Sequence, residues 1–386
     1  MDRIIIPALF LLVFDLYILM AGPGRYELSG SFSADETVIS WQPLTGSAIA
    51  VTHSAVVLAD KRLPLAPTVS YKNPGPDNFG LQLHQGEETG FQWFDLQGNM
   101  IGEIREQWPF DIALPRFMID NKNNHAVSTD ILNRLRIFSP EGKPVSELQI
   151  FPEYEYHTEN TLYTAFVEGK RNIFAVLTQV YPNSANLPGY RTKIRYFTLD
   201  GTTLFEDILE GWQINAIEVL HGGDLFAVSL YIYNAAEDRI TFQVRIYDHT
   251  GVVTHEFDAY FRNLYDGGQD HLLLLNKDTA ILYDLRKRGI TGTYQQKDPD
   301  RILMTADYQS DDGHFIIEEG HLSQDEHGWN YKEIMLLSLD QGGNITDITS
   351  LDDLMVYQPV LRYDPKTRQL FVGHSSGWIN YRVNNQ

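Results

Sequence analysis

Apolar residues along this chain come in short alternating or continuous runs, broken at intervals by a polar turn, and the same arrangement recurs six times. The copies are FQWFDLQGNMIGEI (91–104), LRIFSPEGKPVSEL (135–148), IRYFTLDGTTLFEDI (194–208), VRIYDHTGVVTHEF (244–257), AILYDLRKRGITGTY (280–294) and IMLLSLDQGGNITDI (334–348). Each reads as a β-hairpin, because β-branched and aromatic residues suit a pleated surface and turns such as LDG, PEG and HTG supply the positive-φ position of a tight reversal. The turn glycines are Gly98, Gly142, Gly201, Gly251, Gly289 and Gly343, spaced by 38 to 59 residues with a mean of 49. A hairpin repeated at that period predicts propeller blades.

The runs between the hairpins complete the unit. In its clearest copy INAIEVL (214–220), LFAVSLYIY (225–233), ITFQVRIYD (240–248) and VVTHEF (252–257) predict four strands separated by turn residues, which is one blade. IAVTHSAVVLAD (49–60) is an early copy, and LFVGHSSGWINYRV (370–383) is a late copy lacking its last strand, which YELSGSFS (26–33) can supply from the other end of the chain. Two units beyond the six hairpins give eight blades, with seven as the second count. The expected fold is all-β: a single β-propeller over 22–386, closed by an N-terminal strand that completes the last blade and removes sheet edges. A pair of β-sandwich domains is the rival architecture, but sandwiches require no hairpin repeated near every 50 residues.

Residues 4–14, IIIPALFLLVF, form an apolar run of 11 residues behind Arg3. That length fits the ~7–15-residue core of a secretory signal and falls short of the ~20 residues that span a bilayer. Extending through Asp15 to Ala21 gives an 18-residue stretch that could serve as an uncleaved anchor. Segment 1–21 is therefore expected to be a signal peptide or membrane anchor, with cleavage at Ala21–Gly22, and the body to be exported to the periplasm or cell surface.

Composition narrows the chemistry. The chain has 386 residues, 51 acidic against 30 basic, a formal charge of −21, and no cysteine. Zero cysteine excludes disulfides, thiolate metal sites and cysteine nucleophiles. The acidic balance, with no long basic run, argues against nucleic acid, which demands a clustered cationic surface.

Residues 125–145, HAVSTDILNRLRIFSPEGKPV, resemble an NHL-type propeller repeat, with Asp130, Asn133, Arg134, Phe138 and Gly142 at its characteristic places. The resemblance covers one blade and implies a bacterial extracytoplasmic propeller, a group made up mostly of binding scaffolds with some enzymes.

Motifs with catalytic or metal potential are few. Gly373-His374-Ser375-Ser376-Gly377 matches the G-x-S-x-G nucleophile elbow, yet only nine residues follow it, with no acid or histidine among them, so a turn between blade strands is expected. Glu318, Glu319, His321, Asp325, Glu326 and His327 crowd together but match neither a metalloprotease nor an EF-hand spacing. They read as a solvated insertion in the seventh blade, and DYQSDDGH (307–314) reads as an acidic turn. Aromatics gather at Trp108-Pro109-Phe110, at Phe151 to His157 and from Tyr181 to Tyr190. Such residues pack blades together or anchor a partner, and the long loops expected at 151–160 and 181–192 make the fourth blade the place to look for a functional surface. The sequence thus predicts a non-catalytic binding or scaffold propeller with a protein or polysaccharide partner, no cofactor, no metal, and membrane contact only through 1–21. The alternative is a propeller hydrolase or lyase with a site in the central channel.

Overall fold

Second and third strands such as Leu225–Asn234 and Arg239–Asp248 carry buried residues at consecutive positions, because each sheet is covered on both faces by its neighbours. The computed structural model describes residues 26–383 apart from short stretches, among them 34–37, 155–158, 183–187 and 326–327. The segment 1–21 lies outside the described residues, as does Glu326–His327. Among the described residues, 32 strands form eight four-stranded antiparallel sheets, with two single-turn 3₁₀ segments, Glu168–Lys170 and His221–Gly223, and no α-helix.

Seven sheets are built from consecutive strands: blade 1 spans 38–64, blade 2 69–107, blade 3 116–149, blade 4 161–210, blade 5 213–257, blade 6 263–295 and blade 7 301–351. In blade 8, Leu361–Asp364, Gln369–His374 and Gly377–Val383 are completed by Tyr26–Ser33 from the opposite end of the chain, with Tyr26 opposite Val383 and Ser33 opposite Gly377. The expected closure is therefore present, and the Tyr26 hydroxyl reaches on to Ser338 Oγ of blade 7 at 2.6 Å. The first strands of successive blades lie against one another, which places them innermost, while outer strands such as Pro144–Gln149 face solvent.

The core is divided into layers between blades. Phe91 stacks on Phe117 at 4.9 Å between blades 2 and 3, Phe174 on Phe226 at 4.5 Å between blades 4 and 5, and Phe257 on Tyr283 at 4.0 Å between blades 5 and 6. Leu273 and Leu282 meet Leu303 and Phe315 between blades 6 and 7, and Ile316 and Ile334 meet Leu370 and Val372 between blades 7 and 8. Each fully buried side chain of this kind contributes about 1.5–3 kcal/mol through apolar burial.

Five of the six repeat glycines, Gly98, Gly142, Gly201, Gly251 and Gly343, hold φ between 73° and 90° in the turn before the outer strand. The sixth differs from expectation. Arg288 takes the left-handed position at φ 55°, and Gly289 instead begins the outer strand of blade 6.

Candidate functional site

Residues of the NHL-like segment form a local scaffold. Asp130 accepts Arg134 Nε at 3.0 Å and the Arg134 amide at 3.2 Å, which fixes the turn between the second and third strands of blade 3. Asn133, left-handed at φ 69°, donates to the Phe151 carbonyl at 2.5 Å and accepts the Phe151 amide at 2.7 Å. This holds the exit of the blade to its turn. The Arg134 guanidinium lies 5.6 Å from the ring of Trp108. Trp108 and Phe151 are buried, so these two aromatics pack the blades and are not available to a partner.

Ser375 sits in the reversal joining Gln369–His374 to Gly377–Val383, its amide donating to the Met355 carbonyl at 2.6 Å. A strand follows it, so the geometry of a nucleophile elbow is absent.

The acidic cluster departs from the solvated insertion expected of it. Residues 318–325 belong to the strand His314–Asp325 of blade 7, with Glu318 and Glu319 fully buried in the blade. Burial dominates because the strand continues the apolar run Phe315-Ile316-Ile317 into the sheet interior. Glu319 is held by Arg301 Nε at 2.8 Å and by the Gln296 amide. Neither carboxylate oxygen of Glu318 has a hydrogen-bond partner, and burial drives its pKa well above the ordinary glutamate value. Of the turn expected over 307–314, residues 307–309 close the strand Arg301–Gln309 and the reversal itself spans 310–313; together they form a clasp between blades, where Asp307 accepts the Tyr363 amide, and Asp311 accepts the Tyr363 hydroxyl at 2.7 Å and Arg368 Nε at 3.0 Å. Among the described residues no group of three or more His, Asp or Glu side chains is arranged to hold a metal ion.

At one end of the propeller, the end carrying the hairpins between second and third strands, blades 4, 5 and 7 stand out. Their hairpins are built from strands of 11 and 11, 10 and 10, and 12 and 12 residues, against 5 and 5 in blade 3. Of the segment 181–192, expected as a long loop, the described residues are instead paired strand, with Tyr181 opposite Gly189 and Pro182 opposite Pro188.

Between the inner strand of blade 4 and the raised hairpin of blade 5 lies an open depression of about 430 Å³, lined by Thr161, Tyr163, Asn215, Tyr231, Ile240 and Phe242 together with Ile214. Tyr260 stacks on Phe242 at 4.5 Å, and Tyr231 packs beside Phe242 at 6.5 Å. The Arg116 guanidinium of blade 3 lies 5.5 Å from the ring of Tyr163. Burial, followed by the nearby hydroxyls of Tyr190 and Tyr163, raises the pKa of Tyr231, which keeps it a neutral donor to Gln213 Oε1 at 3.0 Å. Around this floor Tyr233 (52% exposed), Ile240 (48%) and Tyr260 (37%) present apolar surface to solvent.

A chain of threonines stiffens the wall. Thr178 Oγ1 meets Thr192 Oγ1 at 2.8 Å and accepts the Ile214 amide at 2.9 Å, while Thr192 donates to the Trp212 carbonyl at 2.7 Å. Asn215 donates to the Phe261 carbonyl at 2.7 Å. The raised hairpin of blade 4 is thereby fixed to the inner strand of blade 5. In the sequence only the Tyr181–Tyr190 group pointed toward this place. Tyr163, Tyr231, Phe242 and Tyr260 are scattered over nearly a hundred positions within runs that read as ordinary strand, and extra strand length on both sides of a turn was the one signal available.

Comparison with known structures agrees with the architecture. The C-terminal WD40 domain of Sif2 superposes with a TM-score of 0.55 at 10% identity, covering 94% of this chain and 100% of that domain. The Dos1 propeller gives 0.59 at 9% identity, with coverages of 93% and 96%. Raptor from Chaetomium thermophilum gives 0.51 at 12% identity over 94% of this chain and 29% of that protein. No family model and no curated protein sequence matches.

Proposed function

We propose that this propeller is a non-catalytic binding scaffold of the cell envelope that holds a protein partner on the hairpin face of blades 4 and 5. The observation that carries this reading is the aromatic depression: Tyr163 of blade 4 and Tyr231 and Phe242 of blade 5 line a floor that is open to solvent, Tyr260 from the segment after blade 5 stacks on Phe242, and Tyr231 is held by its hydrogen bond to Gln213. Tyrosine offers a large apolar body with a polar tip and little rotamer entropy, the combination enriched at protein interfaces. A preorganised wall lowers the ordering cost of association. Solved structures with the same fold include WD40 propellers, and a rigid blade scaffold that presents variable hairpins supports this use. The apolar run at 4–14 is the reason to place the scaffold in the envelope.

The test is affinity capture from native envelope fractions with the wild-type chain and with the double variant Ile240→Glu, Tyr260→Ala. Both positions are exposed, so the variant should stay folded and lose only the Tyr260–Phe242 stack, worth about 0.5–1.5 kcal/mol. A protein captured by the wild type and lost with the variant supports the reading. Equal capture by both, or capture of polysaccharide alone, contradicts it.

A further inference from the structure

Every propeller of separate blades leaves one sheet edge per blade facing solvent, and an edge invites strand addition unless charges or proline guard it. Eight outer strands are described here, and seven carry the guard: Lys61–Pro64, Met100–Gln107, Pro144–Gln149, Thr203–Glu210, Val253–Phe257, Ile345–Leu351 and Tyr26–Ser33 each contain at least one acid or base. The outer strand of blade 6, Gly289–Gln295 with sequence GITGTYQ, contains neither charge nor proline. Ile290 is 51% exposed, and Thr293 and Gln295 also face solvent.

This edge is also held straight. Thr291 Oγ1 donates to the Gln341 carbonyl at 2.8 Å, and Gly343 lies so near that a Cβ on it would sit 3.0 Å from the Thr293 amide nitrogen. Gly292 lies against the backbone of Gly342, where no side chain fits. The turn of blade 7 therefore braces one face of the strand while its hydrogen-bonding edge stays outward, which cuts the ordering cost of pairing.

We propose that the outer edge of blade 6 pairs with the same edge of a second copy of this chain, joining two blades into one continuous eight-stranded antiparallel sheet. The strand is self-complementary about its centre: with Gly292 on the two-fold axis, Thr291 faces Thr293 of the other copy and Ile290 faces Tyr294, favourable cross-strand pairs with no charge in conflict. The same operation on Thr203–Glu210 would set a carboxylate against its own copy, Glu206 against Glu206 or Asp207 against Asp207 with that residue on the axis, a like-charge opposition that destabilises a sheet. In a chain with a formal charge of −21, an uncharged edge is the one at which two copies meet at least electrostatic cost. This surface lies on the rim, apart from the hairpin face of blades 4 and 5, and holds whether or not that face binds a partner.

The experiment is sedimentation equilibrium on the full chain at about 50 μM, where an association in the micromolar range is populated. The wild type is expected as a dimer of the 44.2 kDa chain, with slowed amide exchange over Gly289–Gln295 at high concentration. The variant Ile290→Lys, Thr293→Lys sets four ammonium groups around the paired edge and should weaken association at least ~10-fold. Thr293→Val, which keeps β-propensity and neutrality, should dimerise as the wild type does. A monomeric wild type, or a lysine variant that associates as strongly as the wild type, overturns the proposal. Both sites are exposed, and because the variants leave residues 4–14 unchanged, association through that apolar segment would persist in the lysine variant and count against the edge.

Discussion

Gly251, in the turn before the outer strand of blade 5, lies so close to Phe205 in the outer strand of blade 4 that a Cβ at position 251 would come within 2.7 Å of the Phe205 Cβ. The relationship repeats around the ring. Gly142 meets Glu103, Gly201 meets Leu148 and Gly343 meets Gly292 and Thr293, in each case on the outer strand of the preceding blade. At Gly142 and Gly251 the repeat glycine thus answers two demands, a left-handed backbone and a gap only a hydrogen fills, and it sets how closely neighbouring blades approach.

Substituting Gly251 by alanine should therefore cost more than a turn glycine usually does. Its φ of 88° adds about 1 kcal/mol of strain, and the clash with Phe205 forces repacking worth about 1–3 kcal/mol more. Gly222 is the control: its φ is 62°, but nothing lies within 4 Å of an added Cβ. Denaturant unfolding should show Gly251→Ala destabilised by at least ~1 kcal/mol more than Gly222→Ala. Equal losses would show that the glycine serves the turn alone.

The buried carboxyl of Glu318 predicts a pH slope of defined sign. An unfolded glutamate titrates near 4.5, and burial raises the folded value well above that, so the folded chain holds the proton more tightly. This group's contribution is intact below pH 4.5 and is lost as the pH rises through the raised folded value. Glu318→Gln should melt higher than the wild type at pH 8, by a few degrees, with the gap closing toward pH 5. Glu218, pushed up to about 7 by burial and by the neighbouring Asp266, acts in the same direction and leaves part of the slope in the variant. A wild-type profile that rises toward pH 8 would contradict this assignment.

Arg301 and Glu319 form a pair buried within blade 7, at 2.8 Å, with Arg301 also donating to the Glu333 carbonyl at 2.8 Å. Removing one partner strands the other, so Arg301→Met should cost about 3–5 kcal/mol. The double variant Arg301→Met, Glu319→Leu should recover most of that loss, since apolar replacement of a whole buried pair is near neutral. Thermal or denaturant unfolding of the three chains checks this, and additive losses would contradict it.

The mature N-terminus tests the address. Export through a cleaved signal predicts a chain beginning at Gly22 when intact mass is measured on protein from the native envelope. Retention of Met1 or Asp2 in that fraction would mean an anchor.

Much of the ring was legible because its rules are local. Hairpin turns, strand alternation and the orphan strand at 26–33 are written in adjacent residues, and the pairing of Tyr26 with Val383 follows once the last blade is seen to lack a strand. Gly289 misled because Arg288, a residue with no special tolerance for φ 55°, takes the turn position. Glu318 misled because charge predicts solvent, whereas the strand that carries it runs into the interior. The depression at blades 4 and 5 was legible only in part, because Tyr163 and Phe242 meet through packing between blades, which no local pattern encodes.

The most direct test of the binding face places a photoreactive residue at Ile240, on the rim of that depression, and in a second chain at Lys143, in a turn at the opposite end of the propeller. Irradiation in native envelopes should join a distinct protein to position 240 and not to position 143. Crosslinks from position 143 alone, or the same products from both, would contradict the account.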